Sequence, residues 1–306
     1  MDDHIAFSSF PDGQALQLSA VTNYVVGFAD KKVWNVHRYQ FAGTDFSLII
    51  KKNSKINPDH WRSSLEKIWL YYTNKFGPGP SQITFVELDW APISGGPLGE
   101  NVLGLFYQES VPPIMRKVLE NDLGWEAQES TMAYVSEQYK NSANPWETYL
   151  FGTYAHELAH VYFGFGKTRQ KVSLSHEIWF SLGMGMVYDI EVTNKVTGSY
   201  PEIFADSDAV FKKYAFITDI DQRLVNPKTD NDKKYSLDRK KIFAHSKAHL
   251  FLSSIRKEIG EDKFDRAARE YVQKCSECVN GYEDFKKFLR QYKNKIEKLE
   301  KVFKVY

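Results

Sequence analysis

The sequence predicts an α+β protein in which a small strand-bearing N-terminal part packs on a mainly helical remainder. Three observations lead there. Short β-branched and aromatic runs crowd the first third of the chain. Apolar residues at three-and-four spacing take over after it. One apolar, proline-free run near the middle carries two histidines and a glutamate, and reads as a buried helix between the two parts. Strands first and helices after indicate α+β rather than alternating α/β. The expected organisation is one unit over residues 1–306, with a strand-rich lobe at 1–110 and a helical lobe at 111–306.

From Gln14 to Lys51 the pattern favours strands: Leu16 to Val21 partly alternates, and Tyr24 to Phe28 and Phe46 to Ile50 are short apolar runs. Asp59 to Phe76 reads as an amphipathic helix, with Trp61, Leu65, Ile68, Trp69 and Tyr72 on one face, ended by Gly77-Pro78-Gly79-Pro80. Strands at 83–88 and 102–107 flank a glycine-rich turn over 94–101. Helices are expected at 112–122, 145–165, 175–195, 201–216, 238–259, 261–275 and 282–303. The polar stretch 226–234 reads as an exposed loop.

Basic and acidic residues nearly cancel, 40 against 39, so no electrostatic footprint for nucleic acid is present. No run reaches about 18 apolar residues; Ile178 to Ile190 is broken by Ser181, Gly183, Gly185 and Asp189. Neither nucleic acid nor membrane is an expected partner. The acidic start, Met1-Asp2-Asp3-His4, does not resemble a signal peptide, and a cytoplasmic location is expected. The two cysteines, Cys275 and Cys278, lack a second pair to complete a metal site and read as two free thiols near a helix end.

The chemistry centres on His156-Glu157-Leu158-Ala159-His160. On a helix, residues four apart project from one face, so His156 and His160 can bind a single zinc ion. Glu157, beside the first histidine, can polarise a metal-bound water as general base. With eight histidines in 306 residues, this spacing arises by chance in about one such chain in a hundred. The bland alternative is a core helix with two satisfied histidines.

Several segments, in consistent order from about Ala20 to Leu289, resemble the catalytic domain of the aminopeptidase N family of zinc metallopeptidases. These are gluzincins, thermolysin-like in fold, with a glutamate as third zinc ligand. The resemblance is carried by Thr22 to Phe28, by the stretch from the 59–76 helix to Gly96–Asn101, by His156 to Gly164, and by Lys247 to Tyr271. It implies a catalytic core alone, without the family's other domains. It also implies that zinc is held by His156 and His160, that Glu157 takes a proton from water, and that Gly96, Glu100 and Asn101 stand where the family's GxMEN motif binds a free amine. A peptide or small-molecule substrate follows from the same resemblance.

Three departures from the family pattern qualify this expectation. In the family the third ligand lies in W-x-x-E-G; here Trp179-Phe180-Ser181-Leu182-Gly183 places Leu182 at that position. The family's Y-x-K-G becomes His245-Ser246-Lys247-Ala248, and GxMEN becomes Gly96-Pro97-Leu98-Gly99-Glu100-Asn101, one residue too long. A shifted gap would make Glu177 the ligand, and His176 is a ligand by type. Asp189 shares the face of Leu182 but stands about 10 Å further along the helix, too far to ligate. His245, expected to face the cleft with His249 one turn later, could complete the zinc sphere or act as general acid in place of tyrosine. Its bland alternative is an ordinary helix residue beside Phe243 and Phe251. The expected function is an aminopeptidase-like metallohydrolase with a modified site. The alternatives are a non-peptidase enzyme on the same scaffold, such as a small-molecule hydrolase, an epoxide-opening enzyme or a cyclase, and a pseudoenzyme that binds peptides or a partner.

Overall fold

Asn57 starts the helix that organises the core of the computed structural model. Its side chain accepts from the backbone amides of Asp59 and His60, Pro58 occupies the first turn, and helix α1 runs over Pro58–Phe76 before Gly77 (φ 89°) stops it. The structure describes residues 4–8, 26–88, 93–99, 101–107, 130–164, 178–198, 224, 237–275 and 281–306. Among these, strands precede helices as expected. β1 (His4–Ser8) and β2 (Val26–Asp30) form an antiparallel pair. A five-stranded sheet follows, from β3 (Trp34–Phe41), β4 (Thr44–Lys51), β5 (Gln82–Leu88), β6 (Ile93–Gly99) and β7 (Val102–Tyr107).

The sheet order is β3-β4-β5-β7-β6, with β4, β5 and β7 parallel and both edges antiparallel. Helix α1 supplies the crossover from β4 to β5. Its stripe of Trp61, Leu65, Ile68, Trp69, Tyr72 and Phe76 is buried in the core with Phe46, Leu48, Ile83, Phe85 and Leu103 of the sheet. The glycine-rich stretch expected as a turn is instead mostly the edge strand β6, paired with β7 through a bulge between Pro97 and Gly99. Small residues on an edge strand leave β6 without the apolar run that marks β7. Asn101, at φ 60°, is part of the turn between the two strands.

The helices after the sheet are α2 (Thr131–Gln138), α3 (Pro145–Tyr162), α4 (Ile178–Thr197), α5 (Leu237–Ile259), α6 (Glu261–Lys274), α7 (Gly281–Lys286) and α8 (Lys293–Val302). The single helix expected at 282–303 is broken by a 3₁₀ segment, Lys287–Tyr292. Expected elements at 16–21, 112–122 and 201–216 and the loop at 226–234 lie outside the described residues. Cys275, buried at the end of α6, is disulfide-bonded, which corrects the reading of two free thiols. A Cys-x-x-Cys spacing keeps two sulfurs within reach of such a bond. Cys278 lies outside the described residues.

Helix α3 lies between α1 and the later helices. The Tyr72 hydroxyl donates to the Ala155 carbonyl at 2.8 Å, and the Tyr162 hydroxyl donates to the Gly77 carbonyl at 3.0 Å. On the far side, α4 crosses α5 at Gly183, where an added Cβ would stand 2.8 Å from both Ala248 Cβ and Leu252 Cδ1. Lys75 of α1 pairs with Glu191 of α4 and Asp265 of α6, and Arg256 of α5 pairs with the same two carboxylates. Four helices are thereby pinned around the stretch that carries the histidines.

Candidate metal centre

Asn144 caps α3 by accepting from the Glu147 amide at 3.3 Å, and Pro145 fills the first turn. The helix then runs unbroken through His156 to His160. Leu158, Ala159 and Val161 are buried, so the backbone is fixed on its core side. The two imidazoles turn together towards α4. Their Nε2 atoms are 3.0 Å apart and their rings are perpendicular, with centroids 4.6 Å apart.

Behind the rings α4 presents Ser181, Gly185 and Asp189, each four residues from the next and therefore on one stripe. Asp189 Oδ2 is 2.5 Å from His156 Nδ1, and Ser181 Oγ is 2.8 Å from His160 Nδ1. Between them, a Cβ on Gly185 would stand 3.2 Å from His156 Cε1 and 3.5 Å from His160 Cε1. The absence of a side chain there lets α4 lie directly against both rings. Asp189 and Ser181 are 1% exposed, so both contacts are held away from water.

With both Nδ1 atoms engaged from behind, both Nε2 atoms face the same space. Zinc–nitrogen bonds near 2 Å place two ring nitrogens roughly 3.3 Å apart, close to the separation found here. The residues fit as the two-histidine portion of a zinc site. A carboxylate or hydroxyl behind each ligating imidazole is also the arrangement that orients such ligands. Among the described residues no group of three His, Cys, Asp or Glu converges on a metal position. Leu182 is half-buried, next to Ser181 and one turn before Gly185.

Glu157 is 2% exposed, and its Oε2 meets no hydrogen-bond partner among the described residues. Burial pushes its carboxyl up to about 7, with His156 drawing it down and Asp189 pushing it further up. A buried carboxyl that titrates near neutrality is suited to taking and returning a proton. Burial opposes charge on His156, but its bond to Asp189 and the charge of that carboxylate outweigh it and raise the imidazole above its ordinary value. His249, half-buried on α5, is held below its ordinary value by burial, with Asp189 acting the other way.

The structure therefore brings the rings of His156 and His160 together, with Glu157 buried on the same helix. Gly96 is on β6, which runs alongside α3. Asn101 is in the following turn, with its Oδ1 buried and unpartnered among the described residues. Glu100, His176 and Glu177 lie outside the described residues. His245 lies on α5, its side chain likewise outside them. Lys247 is buried, and its Nζ donates to the Lys304 carbonyl at 3.3 Å. Sequence reasoning missed Ser181 and Gly185, and considered Asp189 only as a ligand. Asp189 does stand apart from the Nε2 pair, but it serves behind His156. The four-residue repeat Ser181, Gly185, Asp189 was the available signal.

The sequence pattern of the Peptidase family M1 domain matches residues 116–306. No curated protein matches the chain. Among solved structures the chain is similar to an M1 zinc metallopeptidase from Deinococcus radiodurans, with a TM-score of 0.55 and 12% identity over 98% of this chain and 60% of that one. A mutant of the Deinococcus radiodurans metallopeptidase bound to a Tyr-Ser-Ala substrate gives a TM-score of 0.55 and 12% identity over 98% and 61%. This chain thus spans about 60% of the length of those metallopeptidases and shares their fold. No described helix is long and apolar enough to cross a membrane.

Proposed function

The chain belongs to peptidase family M1, and we propose that it is an aminopeptidase-like metallohydrolase acting on a peptide or amide carbonyl through a modified site. The strand-rich lobe and the helical lobe work as one catalytic-type unit. His156 and His160 hold zinc through Nε2, and zinc bound there would lower the pKa of a water and polarise the carbonyl. Glu157 takes the proton from the attacking water and returns it to the leaving amine. Asp189 and Ser181 fix the two ligand rings. Gly96, Glu100 and Asn101 bind the substrate's free amine, and His245 stands in for the family's tyrosine, as a donor to the developing oxyanion or as a third ligand.

The observation that carries this reading is the Nε2 pair, 3.0 Å apart, with a buried carboxylate and a buried hydroxyl on the opposite nitrogens. A pair of core histidines kept only for packing has no need of that arrangement. The hydrophobic side chain at Leu182 favours a second reading, a non-peptidase enzyme or a pseudoenzyme that binds peptides or a partner on the same scaffold.

One experiment separates them: metal analysis of protein purified without added zinc, with hydrolysis of a panel of aminoacyl anilides by wild type and by Glu157→Gln. Close to one zinc per chain, with turnover abolished in Glu157→Gln, supports the metallohydrolase. A full equivalent of zinc with no turnover of any anilide moves the reading to a non-peptidase enzyme. Zinc-free protein that does not take up the metal on titration leaves the pseudoenzyme.

A further inference from the structure

We propose that Tyr188 is a positioning residue of the metal centre: its hydroxyl, held by Asp265, fixes the roll of α4 about its own axis and with it the aim of Asp189 at His156. The proposal rests on reading His156 and His160 as a zinc pair with Asp189 behind it, and deepens that reading.

Tyr188 is fully buried and comes directly before Asp189 in α4. Its ring stacks on Phe163, the residue that closes α3, with centroids 5.6 Å apart and planes 10° apart. It also meets Phe76 of α1 edge-on at 4.8 Å. Its hydroxyl donates to Asp265 Oδ1 of α6 at 3.0 Å. Burial, and after it the Asp265 charge, push that hydroxyl well above the ordinary tyrosine value, so it stays a donor. One side chain thus joins the end of the histidine helix to the ion cluster that pins α4.

Asp265 is a fixed acceptor. Arg256 Nε and Nη2 reach its two oxygens at 3.1 and 3.0 Å, and Lys75 Nζ stands 2.8 Å from Oδ2. A two-pronged guanidinium contact sets the plane of a carboxylate as well as its position. The same two cations hold Glu191 at 2.9 and 2.6 Å. Tyr188 and Glu191 are three residues apart, neighbours on one side of α4, so both holds resist the same rotation. Replacing such an ion cluster by apolar residues of similar size is often neutral or stabilising, so stability alone does not call for it. What the cluster supplies is direction. A side-chain tip about 5 Å from a helix axis moves about 0.9 Å when the helix rolls by about 10°. A shift of that size takes the 2.5 Å contact between Asp189 Oδ2 and His156 Nδ1 outside the usual hydrogen-bond range of about 2.7–3.2 Å.

The test is zinc titration of Tyr188→Phe, which deletes the hydroxyl alone and leaves Asp265 its two cations. Affinity should fall about 3- to 10-fold, less than for loss of a partner that touches the ligand itself. Tyr282→Phe is the matched control. Tyr282 is almost as buried, and its hydroxyl donates at 2.8 Å to Glu300, which also pairs with Lys286; that bond ties α7 to α8 and not to α4. The control should bind zinc like wild type. Equal losses in the two variants would show general loosening and overturn the proposal, as would wild-type affinity in Tyr188→Phe. Combined with Asp189→Asn, Tyr188→Phe should add no further loss, because both act through one contact; additive losses overturn the proposal. Should Tyr188→Phe not fold, Arg256→Lys keeps the charge, lacks the fork that orients Asp265, and should also lose about 3- to 10-fold. Wild-type affinity there overturns the proposal too. Wild-type protein that takes up no zinc refutes the zinc reading instead. Crystal structures of metal-free wild type and Tyr188→Phe then decide the positioning role: a lengthened Asp189–His156 contact in the variant upholds it, and superimposable contacts overturn it.

Discussion

Alanine at Gly183 and alanine at Gly185 should have different consequences, although the two glycines are two residues apart on α4. At Gly183 the new Cβ would stand 2.8 Å from Ala248 Cβ, 2.8 Å from Leu252 Cδ1 and 3.1 Å from the Ala248 carbonyl carbon. Carbon atoms rest about 3.5–4.0 Å apart, so the shortfall is roughly 0.7 Å or more, part of it against backbone. Overpacking of this kind costs about 1–3 kcal/mol, offset by about 1 kcal/mol because alanine is the better helix former. Gly183→Ala should therefore lose up to about 2 kcal/mol of folding stability and leave zinc affinity close to wild type. At Gly185 the nearest atoms are His156 Cε1 at 3.2 Å, His156 Nδ1 at 3.4 Å and His160 Cε1 at 3.5 Å. There the overlap is a few tenths of an ångström against side chains that can give way. The helix-forming gain cancels most of it, and stability should change by less than about 1 kcal/mol. The rings, however, are pushed off the stripe that orients them, and zinc affinity should fall on the order of tenfold. Urea denaturation of the metal-free proteins and zinc titration against a chromophoric chelator read the two quantities separately. If Gly185→Ala loses more stability than Gly183→Ala while both bind zinc like wild type, the account of the α3–α4 contact is wrong.

Three further outcomes are expected. Leu182→Glu should raise zinc affinity, because two histidines and water leave a protein ligand short of the usual catalytic set; a zinc titration that matches wild type shows that position 182 does not face the metal. Asp189→Asn should weaken zinc binding about 10- to 100-fold with the fold intact, as loss of an outer partner does elsewhere, measured by the same chelator competition. The third concerns pH. Because the Glu157 carboxyl is raised from 4.5 to about 7 by burial, the folded metal-free protein binds that proton more tightly than the unfolded chain. Its contribution is fully present below about pH 4.5 and is lost as pH rises through about 7, a change on the order of 3 kcal/mol. Glu157→Gln should be the more stable protein above neutrality and should lose that advantage towards pH 4.5. Parallel stability–pH curves for the two proteins would contradict the burial account.

Much of this was legible in the sequence because it is local. Helix α1 follows from an asparagine cap, a first-turn proline, a three-and-four apolar stripe and a closing glycine, all within about twenty residues. The histidine pair follows from a spacing of four on α3. What could not be read are relations between segments. Edge strand β6 hides behind its glycines, since its pairing is supplied by β7 and not by its own side chains. The role of Asp189 depends on α4 crossing α3 at a glycine, which no spacing within α4 states. Even so, the crossing clarifies what the leucine at 182 means. Two imidazoles, two carboxylates and a hydroxyl are packed here into an interior built mainly of aromatic and aliphatic side chains. Burying such groups destabilises a fold unless each is paired, and apolar residues of similar size would serve a purely structural contact as well or better. Four of the five are paired in ways that leave the two Nε2 atoms 3.0 Å apart, and one oxygen of the buried Glu157 carboxylate meets no partner among the described residues. That arrangement is unfavourable for stability alone and would suit a bound metal; on the proposed reading, Leu182 departs from the family in the ligand count and not in the purpose of the site.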